Sequence, residues 1–295
     1  MCRQAAFPPN FPRQSAIDIL KDFEGGNKDG VGYTYIQDNK FITHKTPDSL
    51  SDTLKENEES FLSHMPHKGW TIAHLRAASH GDIKYNNTHP FIINEEIAVV
   101  HNGVWSEYNI AKLLMQKTTN IKFTGETDSE VAAQFINLVG PDKFCAEVNH
   151  GGVFLILHKS GKLISIKTSG ELSFHEMKDG RIVMASTMSL RKYKKQLESY
   201  DGWYEFSSDG KYVKHKKTES EIDSWVMVNG IPKRIEDLSK KDKKIIKQEN
   251  SSKKNKHKIC GDPCNVSSHS FKSGHYFSRR NQWAIYNGHE DFDDY

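Results

Sequence analysis

Long apolar runs are absent from this sequence of 295 residues. A helix that spans a bilayer needs about 20 consecutive apolar residues, and no stretch approaches that length. The first 30 residues carry Pro8, Pro9, Pro12 and several charges, whereas a secretory signal peptide needs an uninterrupted apolar segment. We therefore expect an unexported, cytoplasmic protein with no membrane partner.

Cysteine is also scarce. The four cysteines are Cys2, Cys145, Cys260 and Cys264. They are too few and too unevenly spread for the disulfide framework of a small secreted protein. This scarcity predicts a reducing compartment.

Apolar residues make up only 36% of the chain, below the roughly 45–50% that is usual for globular proteins. The net charge of +3 comes from residues 233–258, which hold 11 basic and 4 acidic residues, while the segments on either side are slightly acidic. Residues 248–258 are polar and charged throughout, so we predict a linker there.

Short β-rich runs alternate with helical patterns up to about residue 217. The predicted strands are 31–36, 70–74, 97–101, 153–158, 163–167 and 181–185, and the predicted helices are 15–23, 50–62, 108–115 and 129–139. This mixture predicts a layered α+β domain over residues 2–217. We expect a hairpin and a basic helix to extend it over 218–247, and a linker with a low-order tail to occupy 248–295.

Four segments carry residue types that could do chemistry. Cys2 directly follows Met1, so removal of Met1 would give one residue both a thiol nucleophile and an α-amine of pKa near 7.7–8.0. Arg76 then stands in a polar loop after a predicted strand, Asn102-Gly103 follows another strand, and Asp128 begins a predicted helix.

Each segment has an ordinary structural explanation when it is taken alone. Asn102-Gly103 is a favoured hairpin turn, residues 127–130 fit a helix-capping box, and Arg76 could form a surface ion pair. The histidines at 74, 80, 89 and 101 do not have the spacing of a zinc helix, so we predict no metal and no other cofactor. These separate explanations do not account for the order in which the four segments occur along the chain.

With these motifs the sequence resembles the class II glutamine amidotransferases, a family of N-terminal nucleophile (Ntn) hydrolases. The resemblance covers about residues 2–217 and includes the Met-Cys-Arg start and the run Asn-Thr-His-Pro-Phe at 87–91. It is closest to the small stand-alone members, some of which hydrolyse γ-glutamyl amides. It implies a four-layer αββα sandwich, in which two antiparallel sheets lie between helical layers.

The resemblance also implies a catalytic set. Cys2 would be the nucleophile and its own amine the base, while the side-chain amide of Asn102 and the backbone N–H of Gly103 would form the oxyanion hole. Two neutral donors suit an oxyanion that forms only in the transition state.

A second set of residues is implied for substrate binding. Arg76, with Ser79 and His80, would bind the α-carboxylate of the substrate, and Asp128 would bind its α-ammonium group. A guanidinium suits a carboxylate and an acidic side chain suits an ammonium. The sequence departs from the family pattern at Ala77, where some members carry tryptophan.

The implied function is hydrolysis of the glutamine side-chain amide through a γ-glutamyl thioester, which releases glutamate and ammonia. No Gly-rich phosphate loop and no synthetase domain follow residue 217, so we expect any ammonia acceptor to be a separate enzyme. The alternatives are a stand-alone γ-glutamyl amide or peptide hydrolase, or an inactive Ntn-like scaffold whose basic tail binds a partner or nucleic acid.

The tail itself has two interpretations. Cys260, Cys264, His269 and His275 could bind zinc, but the gap from cysteine to histidine is far shorter than in ordinary zinc fingers. The tail also carries the aromatic residues Phe271, Tyr276, Phe277, Trp283 and Tyr286. We favour a docking peptide built on these aromatics, and we do not expect nucleic acid as a partner.

Overall fold

The computed structural model describes residues 2–63, 65–66, 68–148, 151–186, 195–197, 201–214, 225–228 and 231–234. The helices are α1 (Arg13–Phe23), α2 (Leu50–Leu62), α3 (Tyr108–Thr118), α4 (Asp128–Val139) and α5 (Pro141–Glu147). The strands are β1 (Arg3–Phe7), β2 (Val31–Gln37), β3 (Lys40–Thr46), β4 (Thr71–Leu75), β5 (Phe91–Ile93), β6 (Ile97–Asn102), β7 (Val153–His158), β8 (Leu163–Lys167), β9 (Ser173–Glu176), β10 (Ile182–Ala185), β11 (Lys195–Leu197), β12 (Gly202–Phe206), β13 (Tyr212–Lys214), β14 (Trp225–Val228) and β15 (Ile231–Arg234).

The first thirteen of these strands form two antiparallel sheets. The seven-stranded sheet has the order β11-β9-β10-β1-β4-β2-β3, and the six-stranded sheet has the order β13-β12-β8-β7-β6-β5. β1 lies between β10 and β4, with Ala5 opposite both Ala185 and Ala73. The amino-terminal strand is therefore an interior strand, paired with residues that are distant in sequence.

The alternation of side chains along interior strands divides the core into three parts. In β7, Phe154 and Ile156 pack toward α3, α4 and α5, whereas Leu155 and Leu157 pack between the two sheets. In β1, Phe7 packs toward α1 and α2, and Ala6 lies between the sheets. Because successive strand residues face opposite sides, this pattern produces helix, sheet, sheet and helix layers. The predicted αββα sandwich is confirmed.

Local sequence explains where the helices begin. The Ser49 hydroxyl accepts the N–H of Asp52 at the start of α2, and Thr127 does the same for Glu130 at the start of α4. Such caps satisfy N–H groups that have no partner inside the helix. α5 begins with Pro141 directly after Gly140, whose φ of 84° few side chains would tolerate.

The chain divides into two compact units, Met1–Thr218 and Glu219–Tyr295. In the second unit β14 pairs with β15 in an antiparallel hairpin, where the sequence predicts one. The predicted basic helix, the linker, the aromatic tail and the possible zinc ligands lie outside the described residues. The proposed domain boundaries remain predictions. Among the described residues, no helix is long and apolar enough to cross a bilayer.

Candidate active site

Cys2 lies directly before β1, a strand of the seven-stranded sheet. Arg3 pairs with Leu75, so Cys2 lies beside the residues that follow β4. The Ala77 N–H donates to the Cys2 sulfur at 3.4 Å, and the thiol faces the Ala77 carbonyl at 3.5 Å. The interior pairing of β1 therefore fixes the position of the thiol.

Opposing effects act on the pKa of this thiol. Burial raises it, while the hydrogen bond from Ala77 and the positive charge of Arg76 oppose the rise, and the negative charge of Asp128 adds to it. The two charges predicted to bind the ends of the substrate are thus both near enough to influence the Cys2 thiol. A thiol whose pKa is raised needs a base before it can act as a nucleophile.

Arg76 is not the surface ion pair considered from the sequence, because only 2% of the residue is exposed. Its Nη1 donates to Asp82 O at 3.0 Å, and its Nη2 donates to the carbonyl oxygens of His80 (2.8 Å) and Gly81 (3.0 Å). These bonds use three of the five guanidinium donors and hold the loop 80–82 in place. Two N–H groups have no partner among the described residues.

Ser79 and His80 lie at the rim of this region. Ser79 is exposed and His80 is half-buried. The His80 Nδ1 atom lies 3.3 Å from the Ser79 hydroxyl, and its ring lies edge-on to Tyr108 of α3, with 6.0 Å between centroids. Contact of either side chain with a substrate carboxylate remains a prediction.

A polar network around Glu126, which the sequence did not suggest, also holds the loop 80–82. The Glu126 carboxylate accepts from Lys84 at 2.5 Å, from Asn87 at 3.2 Å and from the Asp82 N–H at 3.3 Å. The Lys84 and Asn87 bonds, with the Asp82 N–H, lower the pKa of Glu126 to about 2. The loop that contacts Arg76 is thereby tied to the segment before α4.

Asn102 and Gly103 close the end of β6, and Asn102 is 7% exposed. The Asn102 Nδ2 atom donates to the Ser186 hydroxyl at 3.3 Å. A Cβ atom at Gly103 would lie 2.7 Å from both Gly151 O and Gly152 Cα, so only glycine fits this approach. The alternative of a hairpin turn here is wrong, because the chain continues into α3 and β6 pairs instead with β5 and β7.

Asp128 is the first residue of α4 and is 4% exposed. Its Oδ2 accepts the Trp105 N–H at 2.8 Å, and its Oδ1 lies 3.4 Å from the Ser129 hydroxyl. The carboxylate therefore fixes the turn that follows Gly103, and it retains acceptor capacity for a ligand.

The predicted capping box at residues 127–130 forms only in part. Thr127 accepts the Glu130 N–H, but the Glu130 carboxylate binds the N–H groups of Thr124 and Gly125, each at 2.7 Å. Glu130 therefore orders the segment before the helix. It does not make the reciprocal bond to the Thr127 N–H that would complete a capping box among the described residues.

Three histidines beside these residues are buried. The His101 Nε2 donates to Gly151 O at 2.7 Å, and the Ser129 hydroxyl lies 2.9 Å from His101 Nδ1. His74 Nε2 donates to His101 O at 3.0 Å, and the His89 ring lies 3.9 Å from the His74 ring between centroids. Burial lowers the pKa of all three, that of His74 to about 3.

This burial predicts loss of stability in mild acid. Below the unfolded pKa of about 6.5, the unfolded chain binds protons that the native histidines do not, so each pH unit costs about 1.4 kcal/mol per histidine until the native pKa is reached. For His74 we expect the free energy of unfolding to fall by about 1.4 kcal/mol between pH 7.5 and 5.5, with His89 and His101 acting in the same direction.

Urea unfolding at the two pH values measures this loss. In His74→Gln, which keeps an N–H donor but cannot take up a proton, the pH-dependent loss should be smaller by about the same 1.4 kcal/mol. An unchanged pH dependence in this variant would show that His74 titrates normally in the folded protein.

Ser186 joins the two sheets near the start of β1, and no sequence signal marked it. Its hydroxyl accepts the Gln4 N–H at 2.9 Å and the Asn102 amide at 3.3 Å, while the Gln4 Nε2 donates to Val153 O at 3.2 Å. Through these bonds the start of β1, two residues after Cys2, meets the end of β6. Among the described residues, no group of three or more His, Cys, Asp or Glu side chains has an arrangement that could hold a metal ion.

Comparison with known proteins now decides the family. The profile of the class-II glutamine amidotransferases matches residues 23–232, well over half of the chain. The chain belongs to the class-II glutamine amidotransferases. The match includes Arg76, Asn102, Gly103 and Asp128, whereas Cys2 lies before its first residue.

Curated relatives of this amidotransferase chain are longer proteins. A glutamine–fructose-6-phosphate aminotransferase of Clostridium perfringens is 35% identical over 132 residues, which are 42% of this chain and 20% of that protein. The Helicobacter pylori enzyme of the same name is 29% identical over 186 residues, which are 59% of this chain and 30% of that protein. The chain thus spans about a fifth of the first of these relatives and three tenths of the second.

Two solved structures share the fold of this amidotransferase. The glutamine phosphoribosylpyrophosphate amidotransferase of B. subtilis superposes with a TM-score of 0.57 and 19% identity, over 71% of this chain and 48% of that chain. A structure described as the allosteric regulatory enzyme of purine biosynthesis gives 0.59 and 20%, over 74% and 50%. At this identity the likeness supports the fold alone.

Proposed function

We propose that the described domain hydrolyses the side-chain amide of glutamine, with Cys2 as nucleophile after Met1 has been removed. The observation that carries the proposal is the thiol itself, which is held at the Ala77 N–H where the charges of Arg76 and Asp128 both act on it. Nearby, Asn102 and Gly103 occupy a strand end that is tied to β1 through Ser186. These contacts support the proposal that a nucleophile, two oxyanion donors and two opposite charges act in one region.

The chemistry then follows in two stages. The free α-amine of Cys2 takes the thiol proton, and the thiolate attacks the amide carbon while Asn102 and Gly103 donate to the oxyanion. The carbon–nitrogen bond breaks, the protonated amine gives its proton to the leaving nitrogen, and a γ-glutamyl thioester and ammonia result. Water, activated by the same amine, hydrolyses the thioester to glutamate.

Substrate recognition uses the two buried charges. Arg76 would offer one of its remaining N–H groups and its positive charge to the α-carboxylate, with Ser79 and His80 at the rim. Asp128 would accept from the α-ammonium group with the acceptor capacity left after its bond to Trp105. Because both side chains are held by backbone groups of neighbouring loops, they are oriented before a substrate arrives.

The same proposal covers the domain boundaries, the localisation and the acceptor of the ammonia. The catalytic domain would cover residues 2–217, with an extension over 218–247 and a tail over 248–295, in a cytoplasmic protein. The curated relatives carry the word aminotransferase in their names. We propose that ammonia, where it is transferred and not released, passes to an acceptor enzyme outside the described residues.

A glutaminase assay tests the proposal, with glutamate release measured for protein whose Cys2 amine is free. An inactive scaffold would release no glutamate. We expect kcat/KM for N-acetylglutamine to be roughly 100-fold below that for glutamine, because the acetylated substrate leaves the Asp128 carboxylate without its ammonium partner. Asp128→Asn should narrow this difference, and equal kcat/KM values in the unaltered protein would show that Asp128 does not bind the ammonium.

The second candidate, a broader γ-glutamyl amide hydrolase, is favoured by one observation. The residue whose backbone contacts the thiol is Ala77, whose small side chain would leave space beside the scissile amide. Turnover of γ-glutamyl anilides and peptides would support this candidate. Refusal of every substrate except glutamine would favour a dedicated amidotransferase.

A further inference from the structure

Ser186 is buried at the end of β10, with 1% of the residue exposed, and its hydroxyl lies where the two sheets meet. It accepts the Gln4 N–H at 2.9 Å, donates to Gln4 O at 3.3 Å, and lies 3.3 Å from the Asn102 Nδ2. The Ser186 N–H also donates to Gln4 O at 2.9 Å. Ser186 therefore contacts both the strand that carries the nucleophile and a proposed oxyanion donor.

The hydrogen-bonding capacity of this hydroxyl is fully used. A serine hydroxyl has one donor and two acceptor positions. Its proton goes to Gln4 O, and one lone pair accepts the Gln4 N–H. Only an acceptor position remains for Asn102, so this side chain must turn its NH₂ group, and not its carbonyl oxygen, toward Ser186.

We infer that Ser186 is a positioning residue for the oxyanion hole, because it selects the amide orientation in which Asn102 can donate. With one Nδ2 hydrogen engaged by Ser186, the second hydrogen of the same NH₂ group is available to a developing oxyanion. The Asn102 Oδ1 atom is buried and has no hydrogen-bond partner among the described residues. The bond to Ser186 is therefore the described contact that sets which way the Asn102 amide faces. The inference rests on the proposed function and deepens it.

Removal of the hydroxyl should affect kcat more than KM. In Ser186→Ala the amide of Asn102 can rotate, and a rotated amide points its oxygen at the oxyanion. We expect kcat for glutamine to fall roughly 10-fold while KM changes less than about twofold, because the donor acts only in the transition state. Ser186→Thr, which restores a hydroxyl, should regain most of the lost kcat.

Ser165→Ala is the matched control. Ser165 is a buried serine of β8 whose hydroxyl has no partner among the described residues. This variant should keep the kcat of the unaltered protein. If the loss of any buried hydroxyl lowered kcat, then kcat would fall in both Ser186→Ala and Ser165→Ala.

Combination with Asn102→Ala separates positioning from structural support. If Ser186 acts through Asn102, Ser186→Ala should change kcat little in the Asn102→Ala background, although it lowers stability in both backgrounds. A 10-fold fall that persists there would contradict the inference. Should Ser186→Ala not fold, Ser186→Cys replaces it. A thiol donates and accepts weakly, so kcat should fall below that of the unaltered protein by less than roughly 10-fold, and an unchanged kcat would contradict the inference.

The outcomes also distinguish the inference from the function on which it rests. If the unaltered protein with a free Cys2 amine releases no glutamate, the proposed function fails. If it releases glutamate and Ser186→Ala retains its kcat, the positioning role fails alone.

Discussion

Cys2→Ala should abolish glutamine hydrolysis, with a fall in kcat of roughly 10⁴-fold or more, because no other group can form the thioester. The folded structure should change little, since the hydrogen bonds of the Cys2 side chain to described residues are all with the backbone of Ala77, and Cys2 precedes the paired residues of β1. Glutamate release and thermal unfolding, measured on the same sample, would show activity lost without stability lost. Acid quenching of the unaltered protein during turnover should trap a γ-glutamyl group on the Cys2 peptide.

Cys145→Ala provides the matched control, because Cys145 is a buried thiol of α5 in the core beneath the six-stranded sheet. This variant should lose some stability and keep its kcat.

An amino-terminal extension that cannot be cleaved should act like Cys2→Ala, since it removes the α-amine that serves as base. Full activity of an extended protein, shown to be intact by mass spectrometry, would rule out the Cys2 amine as that base.

Asn102→Ala should lower kcat by roughly 10²–10³-fold with little change in glutamine binding, because it removes a donor that acts on the oxyanion alone. Steady-state kinetics with glutamine would show the fall in kcat at nearly constant KM. Asn27→Ala is a suitable control: the Asn27 amide donates to Phe23 O at 2.7 Å after α1, so its loss should cost stability and not kcat. A normal kcat in an unstable Asn102→Ala protein would assign Asn102 a purely structural role.

The sequence predicts those elements whose own pattern is strong. α2, β7 and β8 have the predicted bounds, and α4 begins one residue earlier than predicted. Strands such as β1 escape prediction because two alanines and two polar residues hide the alternation, and only long-range pairing makes the segment a strand. α5 escapes because seven residues are too few for a helical period to show.

The candidate site shows the same division. Arg76, Asn102, Gly103 and Asp128 could be selected from the sequence because their order matches a family pattern. Ser186 could not, because its importance depends on a contact across 182 residues to Gln4 and on another to Asn102. The Gly151-Gly152 pair, whose backbone packs on Gly103, carried a usable signal as a break before β7. Only the three-dimensional fit explains why both positions are glycine.

The interior place of β1 sets an order of events during synthesis. β1 can pair with β4 once residue 75 has emerged, but its other edge stays open until β10 is complete at residue 185. At a translation rate of roughly 5–20 residues per second, the intervening 110 or so residues take about 5–20 s. During that interval the amino terminus remains accessible to the enzymes that trim nascent chains, and the second pairing then encloses the strand that follows Cys2.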